Sequence, residues 1–185
     1  MHESRTVTAR RQEKAADRKK KTLAGFVTVI LCLVLITISL TACGTSKSAK
    51  NVNLTDFYTA LAEKLGWDDQ SMAEVPKDQI ADVYPGLEAI EKKQFIARMP
   101  MISAVVNEVV FLECANESDA AKAAEILQKR IDDQASAGAW YPESMEAWGK
   151  GEVITSGSYV AMIASSEYQS EIADAFRTAL QGGGK

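Results

Sequence analysis

Val109-Val110-Phe111-Leu112-Glu113 decides the fold. The run is apolar, β-branched and aromatic, and it has no helix cap, so it predicts a strand over 106–114. Residues 94–103 share that composition and predict a second strand, antiparallel to the first, with Pro100 pointing to an edge position. Asn116 and Ser118 then open a helix whose apolar positions are Ala120, Ala124, Leu127, Ile131 and Ala135, with Gly138 closing it.

Working outward, Leu54, Phe57, Tyr58, Leu61 and Leu65 recur at helical spacing and Gly66 ends the run. This predicts a helix over 54–65 capped by Asn53 or Thr55. Residues 67–87, with Pro76, Pro85 and Gly86, read as irregular connection with one helical turn at 78–83. Residues 139–151 read as a turn, a short helix at 143–148 and another turn. Strands follow near 152–156 and 158–164 around Ser156-Gly157. Ser166 with Gln169 forms a capping box for a helix at 167–181, with Ile172, Phe176, Ala179 and Leu180 inward.

Short strands and helices in this order imply an α+β domain, 53–181, of two layers: a mainly antiparallel sheet with helices on one face. Val109–Arg130 and Tyr159–Leu180 each run strand, polar link, helix. They are either a duplicated unit or two instances of a common arrangement.

The chain before this domain is of another kind. Residues 1–22 carry eight Lys or Arg against three acids, and Leu23–Leu40 carry no charge. A basic flank stays cytoplasmic, so the apolar run enters the membrane with its C-terminal end outward. Eighteen residues make about 27 Å of helix, just enough to span, so an uncleaved single-pass anchor remains an alternative. The Arg10-Arg11 pair lies too far from the apolar run for a twin-arginine signal, which favours the general secretory route. Cys32, inside the run, serves as a small hydrophobe.

Leu40-Thr41-Ala42-Cys43 ends the run and resembles the lipobox of bacterial lipoproteins. The resemblance implies cleavage of a signal peptide, 1–42, and a diacylglyceryl thioether on Cys43. The protein would then sit on the extracytoplasmic face of the cell membrane, with the lipid bilayer as its first partner. Two acyl chains of about fifteen methylenes, at about 0.8 kcal/mol each, hold against thermal motion where one would not. Residues 43–52 read as the lipidated cysteine and a flexible tether, and 182–185 as a disordered tail.

Residues 43–185 hold 13 Lys or Arg against 22 Asp or Glu. An exported domain with a net charge of about −9 is a poor partner for nucleic acid. Its composition removes chemistries too. The only histidine is His2, in the leader, so Ser-His-Asp and Cys-His catalysis and histidine-ligated zinc are excluded from the mature domain. Cys114 has no partner once Cys43 is acylated and reads as a buried free thiol. There is no calcium loop and no Gly-rich phosphate loop, so neither metal nor cofactor is implied.

Trp140, Tyr141 and Trp148 are the candidate ligand surface, because rigid faces with polar tips stack on sugars and prolines. Alternatively, they plug the core beyond the long helix.

Val109–Glu113, the helix ending in Leu127-Gln128-Lys129-Arg130, Tyr141-Pro142-Glu143, Glu152-Val153-Ile154 and Gly157-Ser158-Tyr159-Val160 together resemble domain of unknown function 4358, a family of Gram-positive lipoproteins. The resemblance spans roughly residues 55–180. It implies an exported, lipid-anchored setting and no catalytic residues. Two functions follow: a non-catalytic module binding an envelope protein, peptide or glycan, or an envelope hydrolase or transferase working with carboxylates alone.

Overall fold

The computed structural model describes residues 51–182 except Ser103. The basic leader, the apolar run, Leu40-Thr41-Ala42-Cys43, most of the tether and the last three residues lie outside the described residues. Among those described, no helix is long and apolar enough to cross a membrane.

Helix α1 (Leu54–Leu65) is delimited by its caps. Asn53 Oδ1 accepts from Thr55 N and Asp56 N, and Gly66 ends the helix in the left-handed region at φ 69°. The strands are β1 (Ala73–Glu74), β2 (Lys92–Met99), β3 (Asn107–Cys114), β4 (Glu152–Ser156) and β5 (Tyr159–Ser165). They form one antiparallel sheet of order β1-β2-β3-β5-β4. The other helices are α2 (Ile80–Val83), α3 (Glu117–Asp133), α4 (Pro142–Gly149) and α5 (Gln169–Gln181). The fold is α+β with an antiparallel sheet, as the strand patterns require.

Helices cover both faces of that sheet. On one side Val110, Leu112, Val160 and Met162 pack against Leu127 and Ile131 of α3, Trp148 of α4 and Ile80 of α2. On the other, Val109, Phe111, Ala161 and Ile163 pack against Leu54 and Leu61 of α1 and Ile172 and Phe176 of α5. Phe111 meets Phe57 edge-on at 5.1 Å and Phe176 at 5.5 Å. Burying each of these large side chains contributes about 1.5–3 kcal/mol. Helices on one face alone would leave half of each central strand exposed. Instead β5 is buried along its whole length, which requires a layer on each side.

Three local readings shift. β2 ends at Met99, so residues 101–105 form a loop, because Pro100 has no N–H to continue the ladder. β2 is second in the sheet: the two-residue β1 covers it only at Arg98 and Met99. Its first half is an open edge, guarded by Lys93 and a register shift between Lys92 and Gln94. Finally, Ser165 in place of Ser166 closes the turn that leads into α5, whose N-cap Tyr168 makes no side-chain cap bond. Ser165 Oγ accepts from Tyr168 N and the Ser165 N–H donates to Gln169 Oε1, both at 3.0 Å.

Candidate functional site

The β2–β3 loop sits over one end of the sheet and is pinned on two sides. Ser166 N donates to Val106 O at 2.9 Å. Ser144 Oγ, from the first turn of α4, donates to Ala104 O at 3.4 Å. On this loop Met101, Ile102 and Val105 are exposed to solvent. α3 runs back to the same end, loosens into a wide turn over Gln134–Gly138 and delivers Trp140 and Tyr141, just before Pro142 starts α4. Trp140 is 90% exposed and Tyr141 is also open. Among the described residues, these five are the exposed large apolar side chains, and one pole of the domain holds them all.

On the far side of the loop is a cleft of about 380 Å³ lined by Trp67, Met101, Ile102, Val105, Asn107 and Tyr168. Trp67 and Tyr168 close one wall edge to face, 6.1 Å apart. Asn107 Oδ1 is buried with no hydrogen-bond partner among the described residues, an arrangement that costs roughly 1–3 kcal/mol.

The rim is acidic. Segments 66–71, 100–107, 139–144 and 165–168 contain Asp68, Asp69, Glu143 and Glu167 and no Lys or Arg. Arg98 reaches Asp69 from β2 at 2.8 Å. Asp68 is held below the usual carboxylate range, chiefly by hydrogen bonds from the Ser71 backbone and side chain. Glu167 pushes the neighbouring Tyr168 hydroxyl up.

Trp140 and Tyr141 thus lie on the surface, while Trp148 is 6% exposed and belongs to the core. Helical spacing separates them: Ser144 and Trp148, four residues apart, share the inward face of α4, and the other two precede the helix. Arg130 lies over the Trp148 ring at 5.3 Å. Met101 and Ile102 fall inside the strand that composition predicts over 94–103, and Val105 falls in the gap before the next. The available signal was a turn after Pro100 made of Met, Ile and Val where Gly, Asn or Asp is usual.

The one buried carboxylate among the described residues is fully engaged. Glu108 accepts from Tyr84 Oη at 2.9 Å and from Arg130 Nε and Nη2 at 3.2 and 2.9 Å. Burial pulls the Arg130 pKa down, but the hydrogen bond and charge of Glu108 outweigh it and leave the guanidinium raised. Burial, then the Glu108 charge, hold the Tyr84 hydroxyl well above its ordinary value. With three hydrogen bonds accepted and its side chain 4% exposed, this carboxylate locks β3 to α3. Cys114 is a buried free thiol, pushed up by burial. Among the described residues, no three His, Cys, Asp or Glu converge on a metal position.

A family model described as a domain of unknown function (DUF4358) matches residues 66–165. No curated protein and no solved structure matches the chain. The matched span takes in the whole sheet with α2, α3 and α4, and leaves out α1 and α5.

Proposed function

The chain belongs to the family of domain of unknown function 4358, and on that premise we propose that it is a membrane-anchored extracytoplasmic lipoprotein. Its domain is a non-catalytic binding module that docks an envelope partner on the apolar pole. One observation carries the binding role: five large apolar side chains gathered at one end of a domain whose other large apolar side chains are packed away. Monomeric surfaces that keep such a cluster use it.

The anchoring half draws its support from Leu40-Thr41-Ala42-Cys43 after a basic and then an apolar segment. The position of the first described residues is compatible with it. Val52 N donates to Tyr159 Oη at 3.1 Å, and Gln94 bridges Val52 O and Leu54 N, both at 2.8 Å. Tyr159 begins β5, and Ser165, at the far end of that strand, adjoins the pole. The chain therefore joins the domain about 20 Å of strand away from the docking end.

Replacing Cys43 with Ala tests the anchor. The precursor should accumulate at full length and lose its acyl label. A wild-type protein that is uncut and unlabelled would make the apolar run a single-pass anchor instead. Ile102→Asp tests the docking role: retention of every envelope partner by this variant removes it.

A further inference from the structure

Resting on the docking role of this pole, we propose that its partner presents a cationic amphipathic polypeptide segment: an apolar anchor flanked by Lys or Arg. The four segments that build the pole supply only acids. Arg98 neutralises Asp69, which leaves Asp68, Glu143 and Glu167 around the apolar side chains. Trp140 presents a ring to solvent three residues before the exposed Glu143, and Tyr141 follows it in the chain. An indole face next to a carboxylate suits a guanidinium or ammonium, which gains from both the ring quadrupole and the charge. On the other side of the loop, the cleft of about 380 Å³ between Val105 and the Trp67–Tyr168 pair has room for one large apolar side chain.

The same charges argue against the two rival occupants. An anionic bilayer would bring like charge to the rim, and so would a second copy of this chain. A basic-flanked polypeptide meets both features at once. Its apolar residue leaves water in the cleft, while its cations set orientation and speed encounter.

The test uses the full chain in zwitterionic nanodiscs and two fluorescent synthetic peptides. They share one Leu- and Phe-containing core and differ only in flanking Lys or Glu. Binding is read by anisotropy. The Lys-flanked peptide should bind at least about tenfold tighter near 0.1 M salt, a gap that narrows at 1 M. Ile102→Asp and Trp140→Ala should abolish its binding, and the double variant Glu143→Lys/Glu167→Lys should reverse the preference. All four positions are surface positions, so the fold survives these changes.

Equal binding of both peptides, lost in Ile102→Asp, overturns the charge inference and leaves the docking role standing. Binding indifferent to Ile102→Asp and Trp140→Ala overturns both, as does binding of neither peptide. Ile102-dependent capture of phosphatidylglycerol vesicles, or Ile102-dependent dimerisation, gives the pole to a membrane or to a second copy and overturns the proposal.

Discussion

Arg130→Met should destabilise the domain more than Glu108→Gln at its partner. The pair is asymmetric: the Glu108 side chain is 4% exposed and that of Arg130 is 21% exposed. Methionine keeps the apolar stem against Trp148 but removes both donors to the carboxylate, at 3.2 and 2.9 Å, leaving only Tyr84 Oη. A buried charge stripped of its partner costs about 3–5 kcal/mol. Glu108→Gln preserves volume and an acceptor for Tyr84, and it leaves a guanidinium that still reaches water, so the loss is about 1–2 kcal/mol. The double variant strands no charge and should be more stable than Arg130→Met alone. Domains of this size hold about 5–15 kcal/mol in total, so urea midpoints resolve these differences. Equal losses in the two single variants, or additive losses in the double, would refute the reasoning. Arg130 also lies over Trp148 of α4, the helix that Trp140 and Tyr141 lead into, so under the proposed docking role a loosened Arg130 should weaken partner binding as well.

Trp140→Ala should leave the urea midpoint within about 0.5 kcal/mol of wild type, whereas Trp148→Ala should cost about 3–5 kcal/mol; comparable losses would mean that Trp140 is part of the core. Tyr84, raised by burial and then by Glu108, favours folding fully below the ordinary tyrosine value of about 10 and loses that contribution as pH climbs toward its folded value. Tyr84→Phe should therefore flatten the fall in stability between pH 9 and 11, measured by urea unfolding at each pH. Asn53→Ala removes the acceptor for Thr55 N and Asp56 N at 2.9 and 3.1 Å and should cost about 1 kcal/mol, seen as a lower melting temperature.

Much of the fold was legible because local chemistry and tertiary structure agree. Asn53 and Gly66 bracket α1, and Asn116 caps α3 through Asp119 N. What escaped was set by long-range pairing. β1 has two residues, too few for any periodicity, and exists because Ala73 and Glu74 find Met99 and Arg98 on β2. Ser165 and Ser166 are chemically alike, so only the fold decides which one closes the turn before α5. The second helical layer was legible in principle, since Val160-Ala161-Met162-Ile163-Ala164 is continuously apolar where one open face would have imposed alternation. The pole was half legible. Its aromatics attract notice in any sequence, but whether Trp140 is buried depends on where α4 begins.

The strand-helix echo lacks two-fold symmetry, on geometric grounds. β3 and β5 are adjacent and antiparallel, running from Asn107 opposite Ser165 to Glu113 opposite Tyr159. A two-fold axis relating such neighbours stands perpendicular to the sheet and keeps each face to itself, so it would place both following helices on one side. Yet α3 covers the face of Val110 and Leu112, and α5 covers that of Val109 and Phe111. The halves are therefore not two-fold mates. The family match, which ends at Ser165 and begins at Gly66, holds the sheet and one helical layer, and α1 and α5 on either side of it close the other face. The loop at 101–105 and the aromatics at 140–141 fall inside the match, whereas Glu167 and Tyr168 fall outside it.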